Sequence, residues 1–407
     1  MNSIESIALA MVQKGKGILA ADESNSTMTK RLDSVKIPST EENRLNFREA
    51  LFTSKKIKDF ISGIILFDET IKQTASNGKT ISKLLTDQGI IPGIKVDKGV
   101  KPLALSNDEK ITEGLDGLKE RLIEYYKLGA RFTKWRAVYD ISNIYPSKTS
   151  IVANAHALAR YAAIVQEANM VPIVEPEVLM DGNHDIKKCY DVTTAVLNEC
   201  FNQLAIHKVN LKGIVLKPNM ILNGSESGKK NITNEVSEKT LDCIKRNVPK
   251  EVPGIAFLSG GQSELEATEN LNSINKINDT KFAFTFSYGR ALQQSALKTW
   301  AKNINDKTIV QAVFDARSEM NSLASLGGVG LWEWLSQISF FGELLHLSKA
   351  CGTTDPGGVV AGRSARAHQR CICTGENYRR EIGSGVSGRV WEECDFRDAN
   401  EFIWSGR

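Results

Sequence analysis

The chain of 407 residues lacks the features that would place it in a membrane or in a secretory pathway. No stretch of about 18 consecutive apolar residues occurs, which excludes a membrane-spanning helix. Residues 1–17 have no leading basic cluster and carry Glu5 within the apolar run, so they predict an amphipathic first helix. Cysteine is also scarce, with 7 residues in the whole chain. Cys189, Cys200 and Cys243 are isolated, as is typical of buried thiols in a reducing compartment, so we expect a cytoplasmic protein.

Motifs for metal ions, dinucleotides and nucleic acids are missing as well. The five histidines are scattered without an HExxH or comparable ligand spacing, so we expect no metal and no cofactor. The 52 basic residues nearly balance the 48 acidic ones, giving a net charge of +4. A nucleic-acid binder usually carries a denser basic stripe, so we expect no nucleic-acid partner.

The composition changes abruptly near Leu326. Residues 1–326 hold 33 Lys and 10 Arg, whereas residues 327–407 hold 1 Lys and 8 Arg, with 13 of the 31 Gly and 4 of the 7 Cys. We therefore expect one folded domain over 1–326 and an atypical Gly/Arg-rich tail over 327–407. Apart from one apolar helix at 331–347, we expect this tail to have little or no fold of its own and to be a fused or frameshifted addition.

Eight apolar, β-rich runs recur in the first 326 residues, and amphipathic helical segments separate them. Apolar strands that alternate with helices are typical of a parallel sheet buried on both faces, and eight units can close a (β/α)8 TIM barrel. An open doubly wound sheet would need a GxGxxG turn after its first strand, where the chain reads SNSTMTK. We therefore predict an α/β TIM barrel with a C-terminal extension. The predicted strands are 16–23, 60–68, 91–97, 131–139, 171–178, 213–220, 253–261 and 282–289.

Charged side chains interrupt six of these otherwise apolar strands. Alternate residues of a strand share a face, so Lys134 and Arg136 lie on one face, as do Glu175 and Glu177. Any one of them could face outward and pair with a helix. A dry interior rejects unpaired charge, however, and side chains at the C-terminal ends of barrel strands are usually catalytic. We expect convergence at that end of Asp22, Lys95, Lys134, Arg136, Glu175, Glu177 and Lys217.

Lys217 has the surroundings of a nucleophilic amine, because its strand GIVLKPNM is otherwise apolar and ends at a proline. Burial and a neighbouring cation such as Lys134 favour a neutral amine, which can attack a ketone and form a Schiff base. A structural lysine paired with Glu175 or Glu177 is the alternative. Two glycine-bearing turns follow the seventh and eighth strands, where barrels often bind phosphate on backbone N–H groups. The residues expected there are Ser259, Gly260, Gly289 and Arg290.

In this order, the motifs GILAADES, GIKVDKG, KWR, IVEPEVL, LKPNM, FLSGGQSE and FSYGRALQQSALK resemble those of class I fructose-bisphosphate aldolase. The resemblance covers about residues 1–326. It implies reversible cleavage of fructose 1,6-bisphosphate to dihydroxyacetone phosphate and glyceraldehyde 3-phosphate, in glycolysis or gluconeogenesis. It also implies a cytoplasmic homotetramer that works through a lysine Schiff base without metal.

The resemblance assigns a role to each matching residue. Lys217 corresponds to the Schiff-base lysine, Glu175 to the acid–base group with Glu177 as its partner, and Asp22 to the carboxylate for carbon–carbon cleavage. Lys134 corresponds to the cation that tunes Asp22. The remaining matches are substrate contacts: Arg136 as a substrate ligand, Ser259, Gly260, Gly289 and Arg290 at the C1-phosphate, and Ser24, Thr27 and Lys95 near the other phosphate.

Two features keep alternatives open. Animal members of this family end in a catalytic tyrosine, whereas this chain ends in WSGR, and Tyr378 is no obvious substitute. Another lysine-dependent barrel aldolase or a transaldolase, acting on a monophosphate, would use similar residues. A scaffold that kept the barrel and lost the chemistry is the third interpretation.

Overall fold

The computed structural model describes residues 3–106, 108–328 and 330, together with three strands between 371 and 394. Eight parallel strands close a barrel in the order β1-β10-β9-β8-β7-β6-β3-β2. Each predicted run contains one barrel strand, so the predicted fold class is confirmed. These strands are β1 (Gly17–Ala21), β2 (Ile61–Leu66), β3 (Ile91–Lys95), β6 (Phe132–Tyr139), β7 (Val171–Val178), β8 (Val215–Leu216), β9 (Gly254–Phe257) and β10 (Ala283–Tyr288).

Helices surround the barrel, and a short antiparallel hairpin of β4 (Val100–Pro102) and β5 (Lys110–Thr112) follows β3. Most of the longer helices begin at a Ser, Thr or Asp whose side chain accepts a hydrogen bond from the first turn, which satisfies an otherwise free N–H group. The helices are α1 (Ile4–Met11), α2 (Asn25–Ser34), α3 (Glu41–Phe52), α4 (Ile57–Phe60), α5 (Asp68–Lys72), α6 (Ile81–Thr86), α7 (Leu118–Lys127), α8 (Lys148–Glu167), α9 (Ile186–Ile206), α10 (Thr233–Asn247), α11 (Glu264–Lys276), α12 (Arg290–Trp300) and α13 (Lys307–Ser325).

The N-terminal end of the barrel is closed by apolar side chains. The amphipathic α1 packs Ile7, Ala8 and Met11 into the cluster that fills the barrel interior. The ring of Phe132 occupies the space beside Gly93, where an added Cβ would lie 2.2 Å from a ring carbon. Every inward position near this end is therefore filled, and polar side chains have room only toward the C-terminal end.

The three strands near the C-terminus form an antiparallel sheet that belongs to a compact unit separate from the barrel. They are β11 (Cys371–Thr374), β12 (Asn377–Gly385) and β13 (Gly388–Cys394). The sequence did not predict this sheet, because Gly and Arg obscure the alternation that marks a strand. The helix predicted at 331–347 lies outside the described residues. The last barrel helix, α13, ends at Ser325, next to the change in composition, and the origin and role of the tail stay predictions.

Candidate active site

Four buried charged side chains meet at the C-terminal end of the barrel. Lys134 Nζ lies 2.8 Å from Asp22 Oδ2 and 3.2 Å from Glu175 Oε2. Lys217 Nζ lies 3.0 Å from Glu175 Oε1. None of the four side chains is more than 10% exposed, so solvent screens these contacts little. The cluster alternates in sign from Asp22 through Lys134 and Glu175 to Lys217.

The backbone around Lys217 explains why its side chain joins this cluster. Regular pairing of β8 is limited to Val215–Leu216, and Pro218 offers no N–H group to continue it. The Lys217 N–H still donates to the carbonyl of Val174 at 2.8 Å, which keeps the residue against β7. The lysine therefore follows the last paired residue of β8, beside the strand that carries Glu175.

Electrostatic interactions hold the cluster in its ionised form. Burial disfavours the charge on Asp22, but Lys134 and Lys217 outweigh it and lower the pKa of Asp22 to about 2. Burial likewise opposes the charge on Glu175, and the same two lysines lower the pKa of that carboxyl. Burial also disfavours the ammonium of Lys134, yet Asp22 and Glu175 raise its pKa well above the usual range. At neutral pH, Lys134 is therefore a fixed cation between two carboxylates.

A second layer of charges lies on the same strands. The Arg136 Nε–H group donates a hydrogen bond to Glu177 Oε2, and the Arg136 side chain is 40% exposed, whereas that of Glu177 is 9% exposed. Burial disfavours the guanidinium charge, but Glu177 raises the pKa of Arg136. Lys95 ends β3, next to Lys134 in the ladder, and donates to Asp97. Arg136 is thus anchored by one buried carboxylate and reaches toward solvent.

The turns after β9 and β10 form a cradle of backbone and guanidinium groups. Gly260 and Gly261 have φ values of 54° and 86°, a left-handed conformation that glycine adopts without steric cost. A Cβ added to Gly261 would lie 3.8 Å from Arg290 Nη2 and 2.9 Å from Met180 Sδ. Arg290 is the first residue of α12, whose N-terminus begins at Gly289 without a side-chain cap. A helix N-terminus with free N–H groups beside an arginine is suited to bind a phosphate.

The predicted contacts Ser24 and Thr27 are placed less directly. Ser24 caps α2, where its Oγ accepts from the N–H of Thr27 at 3.4 Å and lies 3.1 Å from Thr27 Oγ1. Thr27 is exposed and Ser24 is half-buried. The structure therefore brings these hydroxyls to the beginning of α2, two residues beyond Asp22, and involves them in local hydrogen bonds.

Two residues that the sequence did not single out belong to the site. Arg31 lies beside the cradle, where a Cβ on Gly289 would be 3.6 Å from Arg31 Nη2, and it donates to the buried Glu23. Arg31 comes four residues after Thr27 on α2, so helical spacing from the predicted contacts could have indicated it. The Ser287 hydroxyl near the end of β10 is buried and has no hydrogen-bond partner among the described residues. A polar residue in an otherwise apolar strand was the available signal.

This arrangement suits covalent catalysis at a carbonyl group. An amine lies beside a carboxylate that can carry protons, and a second carboxylate is held ionised nearby. Among the described residues, no group of three or more His, Cys, Asp and Glu side chains could hold a metal ion. No described helix is long and apolar enough to cross a membrane. That the reaction needs no metal or cofactor stays a prediction.

Comparison with known proteins agrees with the motifs. The family model for fructose-bisphosphate aldolase class-I matches residues 3–333. The chain is 51% identical to a probable fructose-bisphosphate aldolase class 1 of Xanthomonas campestris over 329 residues, which is 80% of this chain and 98% of that protein. It is 54% identical to the cytosolic fructose-bisphosphate aldolase 5 of Arabidopsis thaliana, over 77% of this chain and 87% of that protein.

The fold agrees with a solved relative as well. The fructose-bisphosphate aldolase of Plasmodium falciparum, crystallised with TRAP and a small-molecule inhibitor, superposes with a TM-score of 0.79 at 48% identity. The match covers 80% of this chain and 95% of that one. With its barrel and buried lysine–carboxylate cluster, the chain belongs to the class I fructose-bisphosphate aldolase family.

Proposed function

We propose that this chain catalyses the reversible aldol cleavage of fructose 1,6-bisphosphate to dihydroxyacetone phosphate and glyceraldehyde 3-phosphate, through a Schiff base on Lys217. The observation that carries the proposal is the 3.0 Å contact between Lys217 Nζ and Glu175 in a buried, charge-balanced cluster. An amine can attack a ketone only after losing a proton, and Glu175 lies where it can take that proton.

The first half of the reaction takes place at C2 of the ketose. Lys217 Nζ adds to the carbonyl carbon and forms a carbinolamine. Glu175 then returns a proton to the C2 hydroxyl, which leaves as water and gives a protonated imine. Lys134 lies 3.2 Å from the other carboxylate oxygen of Glu175 and stabilises its ionised form between these proton transfers.

The second half breaks the bond between C3 and C4. Asp22 accepts the proton of the C4 hydroxyl, the electron pair of the C3–C4 bond moves to the iminium nitrogen, and glyceraldehyde 3-phosphate is released. The enamine left on Lys217 is protonated at C3, and addition of water releases dihydroxyacetone phosphate. An Asp22 that is ionised at neutral pH suits the role of base.

The groups at the rim fix the two phosphates. Ser259, Gly260, Gly289 and Arg290 bind the C1-phosphate, and Arg31 supplies a second guanidinium there. Lys95 and Arg136, with Ser24 and Thr27 at the start of α2, bind the C6-phosphate. The buried hydroxyl of Ser287 donates to the substrate near C1. The enzyme uses no metal or cofactor and works as a cytoplasmic homotetramer, as the family resemblance implies.

Borohydride reduction in the presence of dihydroxyacetone phosphate tests this proposal. We expect a stable adduct on Lys217, identified by peptide mass, and turnover that EDTA does not inhibit. The variant Lys217→Met should form no adduct and cleave no substrate, whereas Lys212→Met, near the start of the same segment, should behave like wild type. Turnover by Lys217→Met would refute the mechanism. A higher kcat/KM for fructose 1-phosphate than for the bisphosphate would favour a monophosphate aldolase.

A further inference from the structure

Asp97 is a buried carboxylate for which the proposed mechanism has no use. It lies two residues beyond β3, and its side chain is 3% exposed. Its Oδ1 accepts from Lys95 Nζ at 2.5 Å and from the N–H of Gly99 at 3.0 Å. Its Oδ2 is buried and has no hydrogen-bond partner among the described residues. Burying a carboxylate costs free energy, so a specific role for Asp97 needs a compensating interaction, and Lys95 supplies it.

Lys95 is held at two points by this one residue. Besides the carboxylate contact, Lys95 Nζ donates to the backbone carbonyl of Asp97 at 3.0 Å. An ammonium group has three N–H donors, so one remains for a further acceptor. A lysine side chain has four rotatable carbons and loses much rotamer freedom when it binds a ligand. Fixing the ammonium before the ligand arrives removes most of that cost.

The segment that carries Asp97 is itself fixed. Arg121 on α7 donates to the carbonyl of Val96 at 2.9 Å and to that of Gly114 at 2.5 Å. The N–H of Lys98 donates to Glu113 at 2.8 Å, which ties the segment to the strand that returns along it. Asp97 is therefore a rigid support, and Lys95 is the movable group that it holds.

We infer that Asp97 is a positioning residue that holds the Lys95 ammonium for the C6-phosphate and thereby sets the preference for a bisphosphate over a monophosphate ketose. This inference rests on the proposed function. Asp97 does not touch the reacting carbons, so its effect falls on binding of the distal phosphate. The reaction at C2 and the cleavage of C3–C4 proceed without it.

A double-mutant cycle on Lys95 and Asp97 tests the inference, with kcat and KM measured for fructose 1,6-bisphosphate and fructose 1-phosphate. Asp97→Asn keeps an oxygen for the Gly99 N–H and removes the charge. We expect it to lower kcat/KM for the bisphosphate about tenfold, mainly through KM, and to change fructose 1-phosphate less than about twofold. Lys95→Met should have an effect of similar kind. Adding Asp97→Asn to Lys95→Met should cause no further loss, since the support then has nothing to hold.

Controls separate this role from a structural one and from failure of the proposed function. Asp87→Asn removes a carboxylate that contacts Lys79 and Lys83 on the surface, and should change neither substrate. Equal loss on both substrates, or losses that add in the double variant, would overturn the positioning role. Adduct formation on Lys217 with dihydroxyacetone phosphate reports a folded site in every variant. A wild type that cleaves neither ketose would instead refute the proposed function.

Discussion

The pairing of Asp22 with Lys134 makes a quantitative prediction about stability. The folded protein lowers the pKa of Asp22 from its ordinary 3.8 to about 2. One pKa unit corresponds to about 1.4 kcal/mol, so ionised Asp22 contributes about 2 kcal/mol of folding free energy at neutral pH. Lys134 is the largest favourable contribution to this shift, and burial opposes it. The coupling between the two side chains should therefore be about 2 kcal/mol or slightly more.

Urea unfolding of the wild type, Asp22→Asn, Lys134→Met and the double variant measures this coupling. Each single change leaves a buried charge without its main partner, so the double variant should be less destabilised than the sum of the two. Because the pKa of Asp22 is depressed in the folded state, its contribution is present above about pH 4 and is lost as the pH falls through about 2. The coupling should therefore be equal at pH 7 and pH 5.

A surface pair provides the matched control for this cycle. Lys119 and Glu167 join α7 and α8 with side chains 67% and 68% exposed, and should show no measurable coupling. A coupling below about 0.5 kcal/mol between Asp22 and Lys134 would refute the reasoning, since unrelated sites add to within that margin. A coupling that disappears between pH 7 and pH 5 would refute it as well, because Asp22 would then titrate at an ordinary or raised pKa.

Three further predictions concern the cradle, the tail and the barrel floor. Arg31→Ala and Arg290→Ala should each raise KM for fructose 1,6-bisphosphate about tenfold or more in steady-state kinetics; an unchanged KM would remove that arginine from the phosphate site. Truncation after Leu326 should leave kcat/KM within about threefold of the full chain, and loss of most activity would show that the tail takes part in the reaction. Gly93→Ala should lower the free energy of unfolding by about 1–3 kcal/mol, because its Cβ would overlap the Phe132 ring; an unchanged urea midpoint would contradict that packing.

The sequence was sufficient for the barrel because each strand is a continuous apolar run, and charges within such runs mark the active end. It could not give the partners of those charges. Lys134 contacts Asp22 only because closure of the barrel brings β6 and β1 toward the same mouth. Asp97 and Arg31 were missed for another reason, since a turn and a helix surface tolerate charged residues without any function.

The pairing within the cluster also differs from what strand geometry alone indicates. Arg136 lies opposite Glu175 in the ladder, yet its guanidinium bonds Glu177. Glu175 is left for the two lysines, because its side chain points to the interior where Lys134 and Lys217 end. Register fixes which backbones are neighbours, whereas the charge balance of a buried space decides which side chains pair.

The apolar floor made by α1 and Phe132 has a consequence for the order of events. With that end sealed, the ketose, the water expelled at C2 and both three-carbon products share one passage. In cleavage, the aldehyde lies nearer the opening, while the other fragment is bonded to Lys217 at depth. The aldehyde must depart before water can reach the imine, so the floor imposes an ordered release with dihydroxyacetone phosphate last.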